Sequence, residues 1–166
     1  MSTSNLVARP KLYLETTIPS YLASRASRDL IVAARQKLTQ DWWDERRVGF
    51  ELFVSESVIQ EITGGDPKLA AKRLGLLESI PILPINPEVR RLAQSLLEDG
   101  PIPSRAIADA AHIAIATVYG CEFLLTSNCR HIANAELFRA IRRIVEAQGY
   151  DVPSMCTPEE LMGGEL

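Results

Sequence analysis

The sequence predicts an α/β fold with three layers, in which helices cover both faces of a central, mainly parallel sheet of four to five strands. Short segments with strand character alternate along the chain with helical segments, which is the order that parallel βα units require. Residues 121–126 are almost wholly apolar, as in a strand buried on both faces. With 166 residues, the chain is long enough for one domain with a substantial core.

The first part of the chain predicts two strands, each followed by a helix. Residues 11–15 alternate and are rich in Leu and Tyr, which predicts a first strand. The helical run over residues 27–46 places its apolar side chains on one broad face. Residues 51–55 predict the second strand, and Ser55 is a favourable N-cap for a short helix over residues 56–63.

Prolines, glycines and capping residues mark the boundaries of the later elements. Asp66 and Pro67 predict the start of a helix that runs to Leu77. The proline-rich residues 80–85 predict a short strand near a sheet edge. Ser104 is the expected N-cap of a helix that stops at Gly120. The remaining predicted elements are helices over 87–97 and 135–148 and strands over 121–126 and 150–155.

Composition and charge exclude several classes of protein. A net charge of −3 argues against a generally basic nucleic-acid coat, although it leaves room for a local basic patch. Three cysteines without CxxC spacing indicate free thiols in a reducing compartment. No stretch has the length of a membrane span and no secretory signal is visible, so we expect a cytoplasmic protein. We expect a flexible N-terminal segment over residues 1–10 and a single domain over residues 11–166.

Asp109 is the residue that most requires a partner. The helical run around it, residues 107–116, is otherwise almost wholly apolar, and a helix that is apolar on every side is normally buried. Placing a carboxylate there is costly unless a cation or hydrogen-bond donors stabilise it. The sequence therefore predicts that other groups meet Asp109.

Three more oxygen-bearing residues are expected at the same sheet edge as Asp109. Glu15 and Asn128 come at the ends of predicted strands, and ligands of open α/β sheets bind outside the carboxyl ends of the strands. Glu61 lies on the helix that follows the second strand. Clustered carboxylates repel one another unless a cation intervenes, and oxygen ligands favour Mg²⁺ or Mn²⁺. Such a cation can activate water and neutralise the charge that develops on a phosphodiester.

Each candidate residue also has a simpler interpretation. Glu15 can cap the following turn or pair with a surface arginine. Glu61 can be an exposed helix residue paired with a lysine. Asn128 can hold its own backbone in a turn, which is a common role of asparagine. His112, three residues after Asp109, can be a partly buried histidine whose hydrogen bonds are satisfied, and we favour that interpretation for it.

Four segments of the chain carry a resemblance to a known family: residues 12–18, 55–62, 109–116 and 123–132. In their order they resemble the PIN-domain family, metal-dependent nucleases that include the VapC-type toxins of toxin–antitoxin pairs. In that family an acidic residue ends the first strand, and Glu15 falls there, where aspartate is usual. Glu61 and Asp109 match the family's glutamate and central aspartate. Asn128 falls where many members have a further acid and others an asparagine.

The resemblance implies an endoribonuclease that hydrolyses phosphodiester bonds in RNA. It implies one Mg²⁺ or Mn²⁺ held by Glu15, Glu61 and Asp109, with Asp109 as principal ligand and Asn128 helping to orient the attacking water. It also implies a homodimer and, for a toxin, a small antitoxin protein that blocks the site. Glu15 is one methylene longer than aspartate and Asn128 lacks a charge, and both departures weaken a site that needs near-ideal geometry.

Two alternatives remain open at this point. One is a catalytically weak or inactive PIN-like module that binds RNA or protein. The other is an α/β enzyme such as a phosphatase that acts on a small molecule through the same acids. The phosphatase is less favoured because no glycine-rich phosphate loop follows the first strand.

Overall fold

The computed structural model describes residues 8–163 of the chain. Within that range five strands form one sheet, in which every neighbouring pair is parallel. The order across the sheet is β3-β2-β1-β4-β5. The strands are β1 (Lys11–Leu14), β2 (Glu51–Ser55), β3 (Ile82–Leu83), β4 (Phe123–Leu125) and β5 (Ser154–Cys156). The predicted parallel sheet of four to five strands is therefore confirmed.

Seven α-helices in the described part of the chain flank this sheet, which confirms the three-layer α/β/α architecture. They are α1 (Thr17–Ala23), α2 (Leu30–Glu45), α3 (Glu56–Ile62), α4 (Pro67–Leu77), α5 (Pro87–Glu98), α6 (Ile107–Val118) and α7 (Ala135–Ala147). Helix α1 packs against α2 and α4, whereas α5 packs against α6 and α7. The short helix α3 contacts both α4 and α6, so it connects the two groups of helices.

Strand β1 and helix α6 supply much of the core. In β1, which lies at the centre of the sheet between β2 and β4, Leu12, Tyr13 and Leu14 are fully buried. Helix α6 is buried continuously from His112 to Thr117. Burial of this helix on nearly every side agrees with its apolar sequence.

The start of α6 differs from the prediction. The helix begins at Ile107, and its N-cap is Ala106, which has no side chain that can cap. The prediction that Ser104 caps this helix is wrong, because the Ala106 N–H donates to the Pro103 carbonyl at 2.8 Å and closes a turn that contains Ser104. By contrast, Ser55 is the N-cap of α3 as predicted, and its Oγ accepts the Val58 N–H at 3.2 Å.

Parts of the domain prediction fall outside the described range. The flexible segment expected over residues 1–10 lies mostly on residues 1–7, and the domain expected over residues 11–166 includes residues 164–166. Of the described N-terminal residues, Pro10 accepts the Glu51 N–H at 3.0 Å and Arg9 Nη1 donates to the Val48 carbonyl at 3.2 Å. Across residues 8–163, none of the helices has both the length and the apolar character needed to cross a membrane.

Candidate functional site

The predicted site residues lie on elements that meet at the carboxyl edge of the sheet. Glu15 directly follows β1, and Asn128 comes shortly after β4. Glu61 lies in the last turn of α3, the helix that begins where β2 ends, and Asp109 lies in the first turn of α6. Because β2, β1 and β4 are adjacent and parallel, their carboxyl ends share one edge.

Glu15 is buried, and one of its carboxylate oxygens accepts three hydrogen bonds. The residue as a whole is only 4% exposed. Oε2 accepts from the Thr17 N–H at 3.0 Å, from Thr17 Oγ1 at 2.6 Å and from Thr126 Oγ1 at 2.8 Å. The Thr17 N–H bond is the turn cap of the simpler interpretation, while the Thr126 bond joins the ends of β1 and β4. Three donors offset the cost of burying the carboxylate.

Asp109 has the partners that its apolar helix led us to expect. Asn128 Nδ2 donates to Asp109 Oδ1 at 3.0 Å, and His131 Nδ1 lies 2.7 Å from Oδ2. Because an ionised carboxylate only accepts, the Nδ1 of His131 carries the hydrogen of that bond. The Asp109 side chain is 19% exposed, and the first turn of a helix favours negative charge. Two donors and a helix N-terminus therefore stabilise this carboxylate.

Asn128 turns its amide nitrogen, not its oxygen, toward Asp109. Its Oδ1 accepts the backbone N–H groups of Arg130 and His131, both at 3.1 Å, which fixes which end of the amide faces the turn. The residue therefore acts as a turn-former and supports Asp109 at the same time. The sequence predicted the position of Asn128 but not this orientation.

Glu61 is the most accessible of the three carboxylates, and it is paired with a buried histidine. His112 Nε2 lies 2.7 Å from Glu61 Oε1, the Glu61 side chain is 37% exposed, and that of His112 is 1% exposed. On its other side, His112 Nδ1 lies 2.6 Å from the hydroxyl of Tyr13. His112 is thus buried with both ring nitrogens hydrogen-bonded, but one partner is a candidate site residue.

The sequence predicted no site role for four residues that contact the carboxylates, His112, His131, Thr17 and Thr126, or for Tyr13, which contacts His112. For His112 a signal was present, because residues three apart on a helix are neighbours on its surface, and His112 follows Asp109 by three. Tyr13 contacts Ser55 at the end of β2 and His112 of α6, which covers the sheet. These contacts depend on how the elements pack, and no spacing in the sequence indicates them.

The donor chemistry of the site fits a hard divalent cation, since it combines three carboxylates. Glu15 Oε1 and Glu61 Oε2 accept no hydrogen bond from residues 8–163, so each keeps a free oxygen. In the arrangement described, however, no three Asp, Glu, His or Cys side chains of that range are grouped closely enough to hold an ion. An ion shared by all three carboxylates therefore requires side-chain rotation, for which the exposed Glu61 is best placed.

A cleft next to the site contains an arginine. Its volume is about 140 Å³, and its lining includes Ser127 and Cys129, the two neighbours of Asn128 in sequence. Arg35 of α2 and Thr157, just beyond β5, lie on the same cleft. The cleft therefore places an arginine, a residue that binds phosphate groups well, and an acidic residue, Glu159, beside the turn that supports Asp109.

Comparisons with known proteins agree with the fold. The family model of the PIN domain matches residues 12–137. The crystal structure of Mycobacterium tuberculosis VapC20, described as a sarcin–ricin loop cleaving toxin, is similar with a TM-score of 0.55 and 13% identity, over 84% of this chain and 96% of that one. Rickettsia felis VapBC2, bound to a DNA fragment from its promoter, is similar with a TM-score of 0.50 and 13% identity, over 88% and 97%. No curated protein matches the sequence.

Proposed function

The chain belongs to the PIN domain family, and we propose that it is an endoribonuclease, the toxin component of a toxin–antitoxin pair, that hydrolyses phosphodiester bonds in RNA. The observation that carries the proposal is the placement of Glu15, Glu61 and Asp109 at one sheet edge, each beside a hydrogen-bond donor. The likeness of the fold to a toxin described as cleaving the sarcin–ricin loop supports the choice of RNA as substrate.

In this proposal Glu15, Glu61 and Asp109 hold Mg²⁺ or Mn²⁺. When bound, such a cation neutralises charge that develops on the phosphodiester and makes a water molecule easier to deprotonate. Asp109 is the principal ligand because Asn128 and His131 already fix both of its oxygens in place. Asn128 contributes to catalysis through that contact.

The remaining residues of the edge serve the substrate and the geometry. Glu15 is one methylene longer than the usual aspartate, and its bonds to Thr17 and Thr126 hold the longer side chain in one position. We propose that Arg35, which lines the cleft beside Asn128, contacts an RNA phosphate. These roles extend the proposal to Thr17, Thr126 and Arg35, to which the family resemblance assigned no role.

We also propose two protein partners for the chain. One is a small antitoxin, and the VapBC2 complex among the similar structures supports this choice. The other is a second copy of the chain, as the family resemblance implies. Light scattering of the purified protein measures the second proposal directly: we expect the mass of a dimer, twice 18.4 kDa.

Substitution of Asp109 tests the proposed activity. We expect Asp109→Asn to abolish Mg²⁺- or Mn²⁺-stimulated cleavage of single-stranded RNA, because the variant removes the charge of the principal ligand and leaves the shape of the side chain. The matched control is Asp151→Asn, which alters an exposed carboxylate that precedes β5, at the opposite edge of the sheet. Full cleavage by a folded Asp109→Asn variant would contradict the proposal.

A non-catalytic binding module is the second candidate, and one observation favours it. All three carboxylates already have hydrogen-bond donors, and as placed in the described chain they do not form a metal-binding group of three. Titration of the protein with Mn²⁺ in a calorimeter separates the candidates. Absence of binding at millimolar metal, together with absence of RNA cleavage, would support the binding module.

A further inference from the structure

A continuous chain of buried hydrogen bonds ends on Glu61. The Val58 N–H donates to Ser55 Oγ at 3.2 Å, and Ser55 Oγ lies 2.7 Å from the Tyr13 hydroxyl. The Tyr13 hydroxyl lies 2.6 Å from His112 Nδ1, and His112 Nε2 lies 2.7 Å from Glu61 Oε1. Ser55, Tyr13 and His112 are all almost completely buried. The chain therefore has one accessible end, which is the carboxylate.

This series of hydrogen bonds connects three elements of the fold, and it both starts and ends on helix α3. Ser55 is the N-cap of α3, Tyr13 belongs to the central strand β1, and His112 belongs to α6. Glu61 lies in the last turn of α3. The position of the Glu61 carboxylate is thereby coupled to the sheet and to the helix that carries Asp109.

The hydrogen-bond partners decide where the protons lie. The Tyr13 hydroxyl has one hydrogen and two polar neighbours, Ser55 Oγ and His112 Nδ1, so it can donate to only one of them. If Tyr13 donates to His112 Nδ1, then His112 carries its hydrogen on Nε2 and donates it to Glu61. Ser55 then donates to the Tyr13 oxygen. In this order every donor and acceptor of the chain has a partner.

The opposite order leaves groups without partners. If Tyr13 donated to Ser55, the hydroxyl hydrogen of Ser55 would find no acceptor among residues 8–163, because Val58 is itself a donor. His112 would need its hydrogen on Nδ1, and a neutral ring would then point the lone pair of Nε2 at the carboxylate. Buried polar groups without partners are costly, so the first order is favoured.

We propose that Ser55, Tyr13 and His112 are positioning residues for Glu61. Ser55 and Tyr13 hold His112 in its Nε2–H tautomer, and His112 thereby fixes the carboxylate of Glu61. This inference rests on the proposed function, in which Glu61 is a metal ligand. An exposed glutamate side chain loses conformational freedom when it binds an ion, and a fixed donor reduces that loss in advance. The family resemblance assigns no role to these three residues, and the proposed ligand set does not include them.

The tautomer of His112 is measurable without any metal. Long-range ¹H–¹⁵N correlation of the metal-free protein should show the hydrogen of His112 on Nε2. We expect Tyr13→Phe, which removes the hydroxyl but keeps the ring, to change the ¹⁵N shift of the unprotonated Nδ1, because that nitrogen loses its hydrogen-bond donor. The control is Tyr119→Phe, which removes a hydroxyl that donates to the Pro84 carbonyl instead. A wild-type His112 with its hydrogen on Nδ1 would overturn the inference.

Metal affinity tests the positioning of Glu61. We expect His112→Phe and Tyr13→Phe to weaken Mn²⁺ binding by about 10- to 100-fold, the usual effect of removing a group that orients a ligand. His112→Gln should recover part of the affinity, because its amide can place an N–H near the position of Nε2. A purely structural role predicts that His112→Gln and His112→Phe bind Mn²⁺ equally. If His112→Phe does not fold, Tyr13→Phe still decides the result.

The controls separate failure of this inference from failure of the proposed function. If Asp109→Asn abolishes Mn²⁺ binding while Tyr13→Phe and His112→Phe bind as the wild type does, only the positioning role is wrong. If the wild-type protein binds no Mn²⁺, the proposed function fails, and with it the role of Glu61 that the positioning residues serve.

Discussion

Thr126 is the residue that joins the two central strands at the site. Its hydroxyl donates to Glu15 Oε2 at 2.8 Å and accepts the Asn128 N–H at 2.9 Å. It therefore holds the carboxylate that follows β1 and the turn that supports Asp109. Because Thr126 is fully buried, no solvent can replace either bond when the hydroxyl is removed.

Removal of this hydroxyl should destabilise the protein. We expect Thr126→Val, which keeps the shape of the side chain, to lower the free energy of unfolding by about 1–3 kcal/mol, since it removes one of the three donors to Glu15 Oε2 and leaves the Asn128 N–H without its acceptor. Urea unfolding measures the change. Thr126→Ser, which keeps the hydroxyl, should lose less than Thr126→Val. A Thr126→Val variant as stable as the wild type would show that the two hydrogen bonds do not contribute to stability.

Single residues differed in how far the sequence could predict them. Asp109 could be predicted, because a carboxylate in an apolar helix requires a partner wherever the helix packs. The sequence also placed Asn128 at the same sheet edge. The orientation of its amide and the contact of His131 could not be predicted, since they depend on a turn whose shape is set by backbone N–H groups that donate to Asn128. The contact of Glu61 with His112 likewise required knowledge of how α3 packs against α6.

At the scale of elements, α4 holds the ends of two helices that flank the site. Lys72 Nζ donates to the Ala23 carbonyl, the last residue of α1, at 3.1 Å. Arg73 Nη1 donates to the Ile62 carbonyl, the last residue of α3, at 3.3 Å. Cations at helix C-termini satisfy free carbonyls and oppose the helix dipole. Arg73 therefore helps to fix α3, the helix that carries Glu61, and Lys72 helps to fix α1, the helix that follows Glu15.

The elements themselves were largely predictable, and their limits were set by local chemistry. Helix α2 begins at Leu30 and not at residue 27, because Asp29 caps it by accepting the N–H groups of Ile31 and Val32. Strand β3 was expected over residues 80–85 but has only two residues, and prolines stand on both sides of it. Ladder pairing and capping depend on neighbours that a pattern of apolar residues does not show.

The whole molecule should lose stability at alkaline pH. Burial raises the pKa of Cys121 and of Cys156 from 9.0 to about 12, and it raises the pKa of Tyr13 as well. Below pH 9 both the folded and the unfolded chain keep these protons, so stability is unaffected. Above pH 9 the unfolded chain releases protons that the folded chain retains, which favours unfolding. Each thiol should contribute about 1.4 kcal/mol of destabilisation per pH unit in this window.

Urea midpoints at pH 8 and pH 10.5 check this expectation. A Cys121→Ala/Cys156→Ala variant should show a smaller decrease between the two pH values than the wild type does. Cys129→Ala is the matched control, because Cys129 is exposed and free. An equal decrease in the wild type and the double variant would show that the buried thiols do not cause the alkaline loss.

The most direct test of the proposal that this protein is a metal-dependent nuclease is to locate Mn²⁺ in a crystal of the wild-type protein. The anomalous scattering of Mn²⁺ identifies the ion. Our proposal predicts one strong peak at the carboxyl edge of the sheet, in direct contact with oxygens of Asp109, Glu61 and Glu15. Because the three side chains do not yet form a group of three, we also expect Glu61 to rotate relative to the metal-free arrangement. A crystal grown with millimolar Mn²⁺ that shows no peak at Asp109 would contradict the proposal.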